Sequence, residues 1–160
     1  MITIADPVVD ICSNDYKGKV SEAAFALQAV IRGWDVIDAG GAPDLDRIIK
    51  RPYTRPIAVQ IKRAYYDAPR SLYIVNCSRT RRSNGDRIPY SATAFDVLAA
   101  HLPDIDKWVF YTRPELGNRQ KATYILPENR KNKTSYAACA PRDPDNWELL
   151  DNVAQSLIAT

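Results

Sequence analysis

The chain has 160 residues, 46% of them hydrophobic and 26% charged, and its formal net charge is +3. These values are ordinary for one globular domain over 1–160 with a real core. No uninterrupted apolar run approaches the roughly 18 residues that a membrane span requires, so no membrane partner is expected.

Residues 1–15 hold Pro7 and a short apolar run, Val8-Val9-Asp10-Ile11-Cys12, which reads as an edge strand or an arm on a neighbouring subunit. The start, Met1 to Asp6, lacks the basic n-region and long apolar core of a secretory signal. Cys12, Cys77 and Cys139 are far apart, odd in number and in no metal-ligand spacing. They read as reduced thiols of a cytoplasmic protein. His101 is the single histidine and reads as structural.

Ser13, Asn14 and Asp15 are N-cap candidates for a helix over 16–32, which Gly33 stops. Its expected core stripe is Val20, Ala23, Ala24, Leu27, Val30 and Ile31, with Glu22 off the centre of that stripe. Residues 34–39 read as a strand and 40–43 as a flexible turn. A β-hairpin follows. Two β-rich runs, 47–49 and 57–61, flank a turn that contains Pro52 and Pro56. Alternation puts Val59 and Ile61 on one face and Gln60 and Lys62 on the other, and groups Asp44 with Asp46 on the first arm.

Beyond Lys62, residues 72–77 read as a strand apolar enough to be central. Residues 78–87 contain no apolar side chain and read as a basic loop. A second helix is expected over 91–101, capped by Ser91, with Phe95, Leu98 and Ala99 inward. Strands are expected at 108–112 and 121–126, then a polar, basic loop at 128–135. A linker at 141–146 leads to a final helix over 147–158, which docks on the body or on a partner subunit. The fold expectation is α/β: a mixed sheet of about four or five strands, flanked by the first and second helices.

Charge is unevenly spread. From Arg47 to Arg87 there are eleven Lys and Arg against two acidic residues, a net +9, while the remainder carries −6. A positive middle and a negative remainder suit a polyanion met on one face. The Arg-rich stretch can meet phosphates and guanine edges, with Tyr65, Tyr66 and Tyr90 as further stacking or hydroxyl groups.

The hairpin carries chemistry of its own. A carboxylate and an amide oxygen are hard ligands suited to Mg²⁺. An ammonium beside them can help deprotonate a water or offset charge on a phosphate under attack. The same polar groups also fit the wet face of an ordinary surface hairpin.

Glu22 on a helix, Pro43-Asp44 or Asp46 opening a strand, and Gln60-Ile61-Lys62 on the next arm stand in a distinctive order. This order resembles the PD-(D/E)XK nuclease superfamily, in the branch where Gln replaces the acid of the third motif (QxK). That branch holds cyanobacterial-type homing endonucleases and small uncharacterised endonuclease-like proteins. The resemblance runs on through 90–99 and 107–116 and covers roughly 16–127, with 128–160 as a C-terminal extension.

The resemblance implies a restriction-endonuclease-like core and Mg²⁺-dependent hydrolysis of DNA phosphodiester bonds by a metal-activated water, with Mn²⁺ able to substitute. Asp46 or Asp44, the Gln60 side-chain oxygen and the Ile61 main-chain carbonyl would hold the metal. Asp46 fits better than Asp44, because the apolar strand follows it directly. Glu22 would orient the water and Lys62 would position or deprotonate it. Lys17, Lys19, Arg63, Arg79, Arg81, Arg82 and Arg87 would contact duplex or branched DNA, and a homo-oligomer is expected. The rival readings are a non-catalytic DNA-binding module with a degenerate site, and an interaction protein with no nucleic-acid partner.

Overall fold

The computed structural model of the chain describes residues 13–42, 44–81, 83–132 and 142–156, the stretch 130–132 by its backbone alone. The expected arm at 8–12, Pro43, Arg82, Cys12, Cys139 and the end of the last helix lie outside the described residues.

Helix α1 (Asn14–Ile31) opens at Ser13, whose hydroxyl accepts a hydrogen bond from the Tyr16 N–H at 3.2 Å. Gly33 closes it with φ +80, a left-handed conformation that glycine adopts without steric cost. The face it buries is not the expected one. Ser21, Phe25 and Ala29 point inward, while Val20, Leu27, Val30 and Ile31 are exposed, Leu27 by 60%. Two apolar stripes compete on this helix. Phe25 decides between them, because its ring meets Trp108 edge-on at 5.5 Å and stacks on Trp147 at 5.6 Å. A ring packed among aromatic partners buries a large apolar surface and gains edge-to-face contacts beyond that burial.

The central sheet has five strands in the order β1-β2-β3-β8-β9. These are β1 (Asp35–Asp38), β2 (Arg47–Lys50), β3 (Ile57–Arg63), β8 (Val97–Leu102) and β9 (Lys107–Thr112). All neighbours are antiparallel except β3 and β8. The sheet is therefore mixed, as expected, and the hairpin is β2–β3, with Arg47 opposite Val59 and Ile49 opposite Ile57.

Strand β8 overturns the expected second helix over 91–101. Every residue from Val97 to Leu102 is buried, on both faces of the sheet. A strand enclosed on both sides reads as a continuous apolar run, which periodicity cannot separate from a buried helix. Its entry is fixed by Asp96, whose carboxylate accepts the Ala58 N–H at 2.8 Å.

Alternation divides two cores. Val59, Ile61, Val97 and Ala99 face α1 and the final helix, α3 (Glu148–Ser156). Leu98, Ala100, Leu102 and Val109 face a second sheet on the other side. That sheet has the order β10-β5-β4, with β4 (Tyr65–Asp67), β5 (Leu72–Asn76) and β10 (Lys121–Tyr124). Strand β5 is thus central, but in its own sheet rather than the main one.

The stretch expected as a basic loop is a short ribbon, β6 (Ser78–Thr80) against β7 (Arg87–Pro89), with only its tip irregular. After the four-residue helix α2 (Arg113–Leu116) and β10, the polar stretch expected as a loop starts as a 3₁₀ turn, Pro127–Asn132. The C-terminal segment docks on the body. Asp145 pairs with the Trp108 main chain at 2.7 and 2.9 Å, and Leu150 and Ala154 are fully buried. Among the described residues no helix is long and apolar enough to cross a membrane.

Candidate active site

The hairpin's polar face ends in an open cleft of about 1180 Å³, where α1, β3 and the β6–β7 ribbon meet. Glu22, Asp46, Gln60, Ile61 and Lys62 all line it. Each comes from an element whose apolar side is locked in the core. Gln60 and Lys62 alternate with Val59 and Ile61 on β3, both buried against α1 and α3. Glu22 follows Ser21, whose hydroxyl meets His101 Nδ1 at 3.0 Å and ties α1 to β8.

Asp46 stands where the chain enters β2. Its Oδ2 accepts the Ile61 N–H at 2.7 Å and also the Gln60 Nε2–H. The Gln60 side chain is nearly closed to solvent, 5% exposed, and its Oε1 is buried with no hydrogen-bond partner among the described residues. A buried polar atom without a partner is uncommon in folded proteins and calls for an explanation, a bound ion or water among them. Burial pushes the Asp46 carboxyl above its usual range, against the Ile61 N–H and the Lys62 charge, which favour the ionised form. Burial also raises the Glu22 carboxyl, and the neighbouring Asp46 charge adds to the rise.

Asp44 takes a different place. It forms an ion pair with Arg79 of the ribbon at 3.3 Å and does not line the cleft. The carboxylate beside Gln60 and Ile61 is therefore that of Asp46.

The basic residues separate in the same way. Lys17, Arg63, Arg79 and Arg87 line the cleft, whereas Lys19 and Arg81 are exposed outside it. Arg87 is steadied by a hydrogen bond to Asn76 at 2.8 Å. Arg82 falls outside the described residues.

Two residues of the site were missed or misread from sequence. Arg47 bridges Glu22 at 3.3 Å and its cross-strand neighbour Asp38 at 3.7 Å, and it donates to the Asp46 carbonyl at 2.7 Å. Its position beside Asp46 was the only local signal. Tyr90, expected as a stacking or hydroxyl group toward nucleic acid, is 4% exposed, and the Lys62 ammonium lies 5.6 Å from its ring centroid. No sequence spacing links residues 62 and 90.

The sequence profile of the PD-(D/E)XK endonuclease family matches residues 12–140. The chain belongs to that family. Among solved structures, a bacterial homing endonuclease, I-Ssp6803I, superposes with a TM-score of 0.72 at 20% identity, over 92% of this chain and 97% of that one. This likeness shows the shared fold. MepB is similar at a TM-score of 0.44 and 16% identity, over 78% of this chain and 97% of its own. No curated protein matches the chain. Family membership makes this PD-(D/E)XK protein a nuclease by class. Among its described residues no three His, Cys, Asp or Glu side chains converge. A QxK donor set would not form such a group, because two of its oxygens come from an amide and a main-chain carbonyl.

Proposed function

We propose that this chain is a divalent-metal-dependent DNA endonuclease that uses Mg²⁺, with Mn²⁺ able to substitute. The observation that carries the reading is the buried Gln60 carboxamide set against the Asp46 carboxylate, in a cleft rimmed by Lys and Arg.

The donor set fits a hard cation. Asp46 and Gln60 Oε1 would hold it, with the Ile61 carbonyl beside them. Gln60 now turns its Nε2 toward Asp46. Amide oxygen and nitrogen are nearly isosteric, so a half-turn of the amide offers Oε1 on the same side. A neutral amide in place of a third-motif acid gives one fewer negative charge, and weaker metal affinity than an all-acid site. The ion supplies Lewis-acid polarisation of the phosphate and an acidified water.

The other groups act directly. Lys62 sits two residues along β3 from Gln60, on the same face, where its ammonium offsets charge on the phosphate under attack and helps deprotonate the water. Glu22, held by Arg47, orients that water. Lys17, Arg63, Arg79 and Arg87 contact the DNA backbone around the cleft, and Lys19 and Arg81 extend the contact outside it. One small domain covers little DNA, so we also propose a homo-oligomer. The exposed apolar face of α1 supports it, and light scattering at working concentration tests it.

The deciding experiment incubates purified protein with supercoiled, linear, single-stranded and four-way-junction DNA in Mg²⁺, Mn²⁺ or EDTA. Nicking or cutting with metal and none in EDTA is the expected result. Salt-sensitive binding with no cleavage at any metal level would make the chain a binding module. Failure to bind DNA or heparin at low salt would remove the nucleic-acid partner.

A further inference from the structure

Two carboxylates reach the cleft from different sides of the hairpin. Strand alternation puts Gln60 on the face opposite Val59 and Ile61, and the Asp46 carboxylate meets the Gln60 amide there. Glu22 comes instead from α1, which packs on the Val59 and Ile61 face. Arg47 spans the two. It stands opposite Val59 of β3 and Asp38 of β1. Its guanidinium forms ion pairs with Glu22 at 3.3 Å and with Asp38 at 3.7 Å, and it donates a hydrogen bond to the Asp46 carbonyl at 2.7 Å. Arg47 is half-buried and does not line the cleft, whereas Glu22 and Asp46 do.

We infer that Arg47 is the positioning residue for Glu22: its guanidinium, anchored on the Asp46 carbonyl and Asp38, sets where the helix carboxylate stands relative to the entry of β2. A guanidinium is a planar fork with five donors and can serve several acceptors in one fixed geometry. An ammonium on a flexible stem cannot hold the same three partners in register. With no cation beside them, two neighbouring carboxylates repel, and the one on the helix is free to swing toward solvent or to take up a proton. Burial and the Asp46 charge both raise the Glu22 carboxyl, and the Arg47 charge opposes them. Because Arg47 touches residues of the site and is not part of the cleft wall, it acts through Glu22 rather than on DNA.

The inference rests on the nuclease reading, and two measurements keep them apart. Arg47→Met keeps the stem and removes the guanidinium. With plasmid and Mg²⁺, its kcat should fall about 10- to 100-fold, the loss that follows removal of a group orienting a metal site's own residues, while KM for DNA stays at the wild-type value. Glu22→Gln should also be slow, and the double variant should be no slower than the slower of the two, because groups that act as one unit give losses that do not multiply. A merely structural role would lower Tm and give losses that multiply. Arg47→Lys keeps the charge and loses the fork. It should still be slower than wild type, and it carries the same cycle where Arg47→Met does not fold. The second measurement needs no cleavage. Carboxylates are amidated with a carbodiimide and glycine ethyl ester in metal-free buffer and mapped by mass spectrometry, with the exposed Glu148 as reference. In Arg47→Met and Arg47→Lys the Glu22 rate relative to Glu148 should rise above its wild-type value. If wild type cuts and the Arg47 variants match it in kcat, or the single losses multiply, the inference falls while the nuclease reading stands. If wild type never cuts, the nuclease reading falls and the labelling decides alone: a raised Glu22 rate upholds the hold of Arg47 on Glu22. An unchanged Glu22 rate overturns the positioning in either case.

Discussion

The β2–β3 hairpin is built into a sheet. Strand β3 has a neighbour on each side, and Ile57 and Val59 are fully buried. Among the described residues the β6–β7 ribbon pairs only with itself, Arg81 and residues 83–86 at its tip are exposed, and Arg79 and Arg87 are tied down by an ion pair and a hydrogen bond respectively. Both are short hairpins rich in basic residues, yet their surroundings suit them to different tasks. Groups that must hold fixed distances from one another need a strand locked by packing on its other face. Groups that follow a flexible, repeating polyanion need charge and reach more than rigidity.

Breaking the rigid hairpin should have the largest effect. Lys62→Ala and Asp46→Ala should each lower metal-dependent cleavage by at least about 10²-fold, the scale of losing one preorganised charge-stabilising group. DNA binding should remain, read by mobility shift in EDTA. Asp44→Ala sharpens the contrast. It frees Arg79 of the ribbon and should cost less than about 1 kcal/mol, as a partly exposed ion pair does. Equal losses in Asp44→Ala and Asp46→Ala would refute the assignment of the metal site.

Breaking the ribbon should weaken binding without touching the chemistry. Arg79→Ala or Arg87→Ala should raise Kd on any sequence and reduce the slope of log K against log salt by about 0.9 for each lost phosphate contact. Single-turnover cleavage at saturating protein should stay at the wild-type rate. A fall in that rate would mean that the ribbon arginines reach the reacting phosphate.

The same comparison explains which parts of the molecule could be read from sequence. The β2–β3 hairpin was legible because one of its faces is apolar and the other polar, with period two along β3. Strand β8 was not legible: Val97 to Leu102 has no polar face, and its identity depends on a parallel neighbour, β3, that lies some distance away in sequence. Helix α1 was half legible. Its span followed from Ser13 and Gly33, but its inward face was chosen by Trp108 and Trp147, aromatic partners from the other end of the chain. In the site, the polar residues of the motif were visible in order. Their supports, Arg47 and Tyr90, were not, since each owes its role to a contact made only after folding.

The smallest effect should come from His101, which sits on the rigid side of this contrast and joins α1 to β8. Its ring stacks on Trp108 at 4.5 Å, its Nδ1 meets Ser21, its Nε2 lies 3.6 Å from the exposed Asp106, and Arg63 adds a repulsive charge. Burial holds its pKa below the usual value, Arg63 lowers it further, and Asp106 opposes them. The unfolded chain therefore takes up this proton at a higher pH than the folded one. The stability this site contributes is fully present above about pH 6.5 and is lost as pH falls below it. In metal-free buffer, the wild-type Tm should drop more steeply on acidification through this window than that of His101→Asn, which retains a polar atom near the place of Nδ1. The raised carboxyls of Glu22 and Asp46 act in the opposite direction at lower pH and are present in both proteins, so the difference between the two curves isolates the histidine. Parallel curves for wild type and His101→Asn would show that the clasp between α1 and β8 does not depend on a neutral imidazole.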